Sequence, residues 1–344
     1  MSMRSEMLVV TMGDPLSVNV ELVETLLPDL KAMDCPVVIV GSAWQWRHQA
    51  KGLPGPLVRG WEETGDRGLW FLDPFAGNPT LEVPTRQLSA RDRGVCAVGC
   101  LDMLRQLPPT RRLAVITAPI DKAACRLAGF AWPGQTEFFE HIWDDKGIMI
   151  LAGPRLRVGL VTNHEPLALV PGLLSRDLIR RKALLFRRTL QRVCGLPEPA
   201  IAVCGLNPHC GDGGLFGDEE NRLIVPAVEE AALQVPGLKG PLPADTVFHQ
   251  ALQGQWDGVL AMYHDQGLGP LKTVHFFDAI NITGGLNHLR VSPDHGPAAD
   301  LFLRGEARPD SMATALRYAG AWLDAPGAEP GVVGRHAEPG SPYL

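Results

Sequence analysis

Three histidines that lie far apart in the chain share one kind of sequence context, a polar segment directly after a short apolar run. They are His164 in VTNHEPL, His209 in GLNPHCGDGG and His264 in AMYHDQGLGPLK. In parallel sheets, loops at the carboxyl ends of strands converge and bind ligands. Three neutral imidazoles with open positions make a catalytic site for a divalent metal. Zinc, cobalt, manganese and magnesium are candidates, and imidazole ligands favour the transition metals among them. The alternative is three loop histidines that share no ligand.

Carboxylates and cations near these histidines are candidates for catalysis and substrate binding. Asp265 follows the third histidine, and Asp245 lies in PLPADTVF. A carboxylate beside a metal-bound hydroxyl can accept its proton or orient a histidine, whereas the alternative for both is a turn residue. Lys272, Asn281 and Arg290 are spaced nine residues apart. Lys272 offers a point charge, Asn281 an amide, and Arg290 a planar guanidinium that can donate two parallel hydrogen bonds. These groups suit a phosphate or a carboxylate ligand.

Two glycine-rich segments are candidates for contacts with a cofactor. The segment GDGGLFGDEE, residues 211–220, precedes a predicted helix, but it does not turn directly from a strand into that helix. A true Rossmann GxGxxG is therefore absent, although backbone amides here could meet a cofactor phosphate. In the second segment, SPDHGPAAD, we expect His295 and Gly296 to let a cofactor approach the backbone. The predicted cofactor contacts are Gly213, Gly214, Asp294, His295 and Gly296.

The composition excludes several classes of protein. Lys and Arg number 32 and Asp and Glu number 38, for a net charge of −6, so there is no general basic field for nucleic acid. The seven cysteines form no CxxC pair, and an odd count argues against a secreted disulfide framework. No apolar stretch reaches the length of a membrane span. We therefore expect a cytoplasmic protein with neither a nucleic-acid partner nor a membrane anchor.

Short β-branched runs alternate with helical patterns, which predicts an α/β fold with a parallel sheet covered on both faces. The predicted strands are 8–11, 37–40, 113–117, 158–162, 200–204 and 258–262, and the predicted helices are 18–33, 178–193 and 219–233. Helix 178–193 carries six basic residues, which favours a solvated amphipathic helix over an anion site. The chain has 344 residues, a length that suits two domains.

The motifs together resemble those of the 4-hydroxythreonine-4-phosphate dehydrogenase family of pyridoxal phosphate biosynthesis. They are TMGDP, TAPIDKAA, GQTEFFEH, VTNHEPL, GLNPHCGDGGLFGDEE, PADTVF, YHDQGLGPLK and DHGPAAD, in this order. The resemblance runs from about residue 9 to residue 319 and is weakest over 42–95. The YHDQGLGPLK and NPH blocks are its most specific parts.

The resemblance implies two α/β/α domains with a cleft between them, as in isocitrate and isopropylmalate dehydrogenases. We assign 1–125 plus 297–330 to the first domain, 126–296 to the second, and 331–344 to a loose tail. A homodimer with the metal site at the subunit boundary is also implied. The metal ligands would be His164, His209 and His264, and the substrate contacts Thr136, Asp245, Asp265, Lys272, Asn281 and Arg290. The implied reaction is oxidation of a phosphorylated secondary alcohol by NAD or NADP, followed by loss of CO2 from the 3-oxo acid, with zinc, cobalt or magnesium.

Three departures from the family pattern bear on the substrate. Gln135 stands where the family has a histidine in GHTE, so a hydrogen bond remains possible but a charge does not. LSVNVE, residues 16–21, replaces AGIGPE, and Pro297 replaces a hydroxyl residue and removes an amide donor. The alternatives are therefore the same chemistry on a phospho-threonate, a phospho-erythronate or a dihydrodiol, a metal-dependent hydrolase, and a non-catalytic binding protein.

Overall fold

A computed structural model describes residues 6–107 and 111–325. Twelve strands in this part of the chain form one sheet. In chain order they are β1 (Glu6–Thr11), β2 (Pro36–Val40), β3 (Leu57–Val58), β4 (Gly68–Leu72), β5 (Arg112–Thr117), β6 (Ile148–Ala152), β7 (Arg157–Leu160), β8 (Ile201–Cys204), β9 (Leu238–Leu242), β10 (Gly258–Ala261), β11 (Ile280–Gly284) and β12 (Leu289–Pro293). The predicted tail 331–344, and residues 326–330 of the first predicted domain, lie outside the described residues.

The sheet is mixed, and its centre differs from the parallel sheet that the sequence predicts. The strand order is β3-β4-β2-β1-β5-β12-β11-β6-β7-β10-β8-β9. β11 pairs antiparallel with β6 and β12, and β6 pairs antiparallel with β7, while every other neighbouring pair is parallel. The two outer parts are therefore each parallel but run in opposite directions. The six predicted strands are confirmed with small shifts at their ends.

Helices cover both faces of the sheet, as predicted. They are α1 (Asn19–Thr25), α2 (Leu27–Ala32), α3 (Ala43–Gln49), α4 (Ala90–Asp102), α5 (Lys122–Leu127), α6 (Gln135–Ile142), α7 (Val170–Leu173), α8 (Arg176–Cys194), α9 (Val225–Ala232), α10 (Ala244–Leu252), α11 (His264–Val274) and α12 (Asp310–Asp324). Alternation along β1 shows the two layers, because Leu8 packs in a core that includes Ala315 of α12, whereas Val9 packs in one that includes Leu101 of α4.

Two of the three predicted helices differ in detail from the sequence expectation. The helix predicted over 18–33 is two helices, α1 and α2, which meet at Leu26. Pro28 explains the break, since a proline ring clashes with the carbonyl four residues earlier and offers no N–H. The helix predicted over 219–233 begins with a π-helical turn at Glu220–Ile224 and continues as α9.

The predicted helix 178–193 is confirmed as the longer α8. The Ser175 side chain accepts a hydrogen bond from the Leu178 N–H at the start, and Gly195 ends the helix in the left-handed region at φ 66°. α8 carries charged residues over its whole length, and no other helix in residues 6–107 and 111–325 is long and apolar enough to cross a bilayer either.

Candidate active site

A cavity of about 300 Å³ lies over one face of the central antiparallel strands. Along these strands, side chains at alternate positions point to the same face. Asn281 of β11 lies opposite Ser292 of β12, and both line the cavity together with Arg290. The remaining walls come from the loops after β5, β7 and β12 and from the first turns of α6 and α11. The antiparallel centre thus lets loops from both oppositely directed outer parts reach one space.

Arg290 is the buried cation of this cavity, with only 4% of its surface exposed. Its Nε and Nη2 donate to Thr117 Oγ1 at 3.0 and 2.8 Å, and Nη1 lies 3.5 Å from Thr283 Oγ1. Burial lowers the pKa of Arg290 to about 10, so the side chain is still charged at neutral pH. Within the described part of the chain it forms no ion pair with a carboxylate. A buried charge of this kind calls for an anionic ligand.

Two of the three predicted metal ligands lie together at the cavity. The rings of His164 and His264 have their centroids 5.2 Å apart, and both residues line the space. His264 is the first residue of α11, and its Nδ1 lies 2.7 Å from Asp265 Oδ1. Burial, and next the neighbouring His264, lower the pKa of His164, which favours the neutral imidazole that can bind a metal.

His209, the third predicted ligand, is exposed and does not line the cavity. It lies in the segment Pro208–Gly214 after β8, with a φ of 52°. Residues 6–107 and 111–325 of a single chain contain no group of three His, Cys, Asp or Glu side chains that could hold a metal ion. One chain therefore brings two imidazoles together and leaves the third apart, so the three-histidine site stays a prediction.

The loop that carries His209 is fixed in an uncommon backbone conformation. His209, Cys210 and Asp212 all have positive φ, which non-glycine residues rarely adopt. The buried Glu220 carboxylate holds the loop entrance, because its Oε1 accepts from the backbone N–H groups of Leu206 and Asn207 at 2.8 and 2.7 Å. Such strain persists where surrounding contacts enforce it and is common at functional sites.

Lys272 binds a loop of the cavity and does not line the cavity itself. Its Nζ lies 2.5 Å from Asp294 Oδ2 and 2.9 Å from the Asp294 carbonyl oxygen. Asp294, His295 and Gly296, which the sequence predicts as cofactor contacts, all line the cavity. Lys272 therefore joins the end of α11 to this predicted cofactor loop.

The other predicted contacts divide into two groups. Gln135 and Thr136 line the cavity from the first turn of α6, and Thr136 Oγ1 lies 3.4 Å from Thr283 Oγ1. Asp265 reaches His264 but is 89% exposed. Asp245, Gly213 and Gly214 are exposed and lie outside the cavity.

The cavity also contains polar residues that the sequence interpretation did not single out, among them Thr117, Lys122, Glu137 and Asn163. The available signal was their position in TAPIDK, GQTE and VTNH, directly after strands or at a helix start. The amide oxygens of Asn163, Gln135 and Asn281 are buried and have no hydrogen-bond partner within the chain. Unsatisfied buried polar atoms are costly, so these oxygens point to a polar ligand.

The loop in which LSVNVE replaces the family sequence is closed by its own side chains. Asn19 Nδ2 donates to the carbonyl oxygens of Met12 and Pro119 at 2.7 and 3.1 Å. Gly13 has φ 63°, and a Cβ there would lie 2.3 Å from the Pro119 oxygen, so glycine is required. The carbonyl oxygen of Pro297, the third departure, accepts a hydrogen bond from the Val18 N–H at 3.1 Å.

The fold is that of a class of dehydrogenases. A β-decarboxylating dehydrogenase from Thermococcus kodakarensis shares it with a TM-score of 0.50 at 15% identity, covering 90% of this chain and 81% of that chain. A 4-hydroxythreonine-4-phosphate dehydrogenase structure from Klebsiella pneumoniae has a TM-score of 0.77 at 35% identity, covering 94% of this chain and 99% of that chain. The expected fold class is confirmed.

The sequence comparisons define the family. Residues 90–319 match the family described as pyridoxal phosphate biosynthetic protein PdxA. A 4-hydroxythreonine-4-phosphate dehydrogenase from Geobacter metallireducens is 39% identical over 331 residues, 91% of this chain and 94% of that protein. A D-threonate 4-phosphate dehydrogenase from Salmonella typhimurium is 37% identical over 327 residues, 92% of this chain and 99% of that protein. The chain belongs to the PdxA family.

Proposed function

We propose that the chain is an NAD- and metal-dependent dehydrogenase that oxidises 4-phosphooxy-L-threonine to a 3-oxo acid, which then loses CO2, in pyridoxal phosphate biosynthesis. The observation that carries this proposal is the content of one cavity, where two adjacent imidazoles, His164 and His264, share the space with the buried cation Arg290. The names and full-length similarity of the Geobacter and Klebsiella relatives support it.

The residues of the cavity have distinct roles in this proposal. Arg290 binds the substrate anion, and Thr117 and Thr283 hold its guanidinium in place. Gln135, Thr136 and Asn281 orient the substrate through hydrogen bonds. When bound, the divalent metal supplies Lewis acidity to the substrate oxygen, and the nicotinamide supplies a hydride acceptor. Zinc or cobalt suits the imidazole donors better than magnesium does.

In this proposal, residues at the margin of the cavity transfer the proton and bind the cofactor. Asp265, 2.7 Å from His264 Nδ1, orients that imidazole or accepts the hydroxyl proton. Lys272 adds a second cation for the substrate anion, and Asp294, His295 and Gly296 form the cofactor loop. The exposed Asp245, Gly213 and Gly214 reach the reactants only if another chain brings them there.

The third metal ligand, in this proposal, is His209 of a second copy of the chain. Exposed apolar side chains follow both of the separated histidines and support an interface there. Leu215 and Phe216, 72% and 48% exposed, follow His209, and Leu167 and Leu169, 65% and 55% exposed, follow His164. Exposed apolar clusters of this kind mark protein interfaces. A homodimer would bury both sets and complete the site at the subunit boundary.

The predicted domain boundaries and the predicted cellular compartment are part of the same proposal. The central strands would join a first domain, 1–125 plus 297–330, to a second, 126–296, with the cavity as the cleft between them. The enzyme would act in the cytoplasm, since all seven cysteines are free thiols.

A phospho-threonate is the second candidate substrate. Gln135 carries no charge where the family pattern has a histidine, and the Salmonella relative acts, by its name, on D-threonate 4-phosphate. The phospho-threonate has a hydroxyl group where 4-phosphooxy-threonine has an amine, so the same hydride transfer applies to both. A metal hydrolase would instead turn over without NAD, and a binding protein would bind metal or ligand without reducing NAD.

The test is an NADH-formation assay of zinc- or cobalt-loaded protein with both substrates in parallel. Arms with NADP, and with metal removed by a chelator, accompany it, and CO2 release is measured. We expect metal-dependent NADH formation with at least one substrate. If neither substrate yields NADH or NADPH from metal-loaded protein, the dehydrogenase proposal fails for phospho-acids.

A further inference from the structure

A second cavity, of about 260 Å³, lies between the start of β7, the end of α8 and the middle of α12. Its polar lining comes from Arg157, Cys194, Thr314, Arg317 and Tyr318. It shares no lining residue with the first cavity. The loop that carries His164 leaves the other end of β7, so the two cavities lie toward opposite ends of that strand.

Arg157, the first residue of β7, is incompletely satisfied in this cavity. Its Nε is buried and has no hydrogen-bond partner, Nη1 donates to the Asp257 carbonyl oxygen at 3.3 Å, and the guanidinium also forms hydrogen bonds with the Tyr318 hydroxyl and the Cys194 thiol. The Asp257 carboxylate is used elsewhere, because its Oδ2 accepts from the Ala200 N–H at 2.8 Å. A guanidinium with a buried free donor favours an acceptor from a ligand.

Arg317 provides a second guanidinium at the same cavity. It is exposed on α12, and its Nη2 donates to Thr314 Oγ1 at 2.8 Å. Neither Arg317 nor Arg157 forms an ion pair within the described ranges, 6–107 and 111–325. Two guanidinium groups beside the Tyr318 hydroxyl make a donor-rich space, and the planar fork of arginine matches phosphate and carboxylate oxygens.

We propose that this cavity is a binding site for a small oxyanion, a phosphate or carboxylate group, held by Arg157 and Arg317. The Tyr318 and Thr314 hydroxyls complete the donor set. The volume exceeds that of a free phosphate ion, so the natural ligand carries further atoms beyond its anionic group. The site does not depend on the proposed dehydrogenase activity.

The test is calorimetric titration of the full-length protein with inorganic phosphate, and with citrate as the carboxylate probe. We expect two phosphate sites in the wild type, one at each cavity. Arg317→Gln should weaken one of them about tenfold, as expected for loss of one charge-assisted interaction. Arg180→Gln, which removes a solvent-facing arginine on α8 that pairs with Asp177, is the matched control and should leave both sites unchanged.

A crystal soaked with tungstate, a phosphate analogue, provides the second measurement. An anomalous peak within hydrogen-bond distance of Arg157 and Arg317 supports the proposal. Citrate binding that Arg317→Gln weakens, without a second phosphate site, assigns the cavity to carboxylates. Identical phosphate and citrate titrations for wild type and Arg317→Gln, together with no peak, overturn it.

Discussion

The cavity wall formed by β11 and β12 and the loop that carries His209 differ in one respect. A single chain places the side chains of the wall around one cavity, but it leaves His209 outside that cavity. On the wall, Arg290 is buried and held by Thr117, and side chains from β11 and β12 face one cavity. The loop is also well held, through Glu220, but it presents His209 to solvent. The comparison shows that one chain assembles the cavity wall with its buried cation but leaves His209 outside that cavity, and the proposed second chain would supply the missing imidazole.

The largest expected effect comes from the histidines. His264→Ala and His209→Ala should each lower kcat/KM by about 1000-fold or more, because each removes a proposed metal ligand. If His209 acts across the subunit boundary, refolding the two variants together should restore about a quarter of wild-type activity, since half of the dimers then contain one intact site. Activity is measured after mixing equal amounts. Absence of any recovery, with heterodimers demonstrated by mass, would place all three ligands in one chain.

Substitution of Arg290 tests the buried wall. Arg290→Gln should lower kcat/KM about 100-fold, mainly through KM, because a charge-assisted interaction with the substrate anion is lost. Arg112→Gln is the matched control, since Arg112 is also buried but lies at the far end of β5, where it donates to the Ala325 carbonyl oxygen. Equal changes of KM in the two variants would mean that Arg290 only supports the fold.

A pH effect on stability is expected from His288, which precedes β12 and accepts a hydrogen bond from the Leu113 N–H at the far end of β5 from the cavity. Burial lowers its pKa to about 4 from 6.5. The neutral form is therefore favoured in the folded state, and its contribution is complete above pH 6.5 and lost as the pH falls to 4. The loss amounts to about 3 kcal/mol. Denaturant unfolding between these pH values should show a flatter dependence for His288→Asn than for wild type; equal slopes would contradict this assignment.

The smallest effect is expected at Lys272. Two variants distinguish whether its charge binds the substrate anion or whether it only holds the Asp294 loop in place. Lys272→Ala should raise the substrate KM about tenfold through loss of a cation. Asp294→Asn removes the ion pair but keeps the ammonium group, so its substrate KM should stay within about twofold of wild type. Equal increases in both variants would show that Lys272 acts only by holding the Asp294 loop.

Several features follow from local sequence. Short apolar runs predicted six strands, and the amphipathic pattern of residues 178–193 predicted α8, because hydrophobic periodicity is a local property. The sequence predicted that His164 and His264 directly follow strands, in loops. It did not predict that His264 begins α11, or that Gln135 begins α6. The strand β6 was not predicted, because an uninterrupted apolar run does not distinguish a strand from a buried helix.

Tertiary structure determined the features that the local sequence did not predict. The reversal of direction at β6, β11 and β12 depends on long-range pairing, and that reversal turns a polar strand with Arg290 into the wall of a cavity. The separation of His209 from the other two imidazoles depends on the conformation of its loop after β8. The sequence by itself determined which side chains are available for chemistry, and only the packing of distant segments determined which of them meet within one chain.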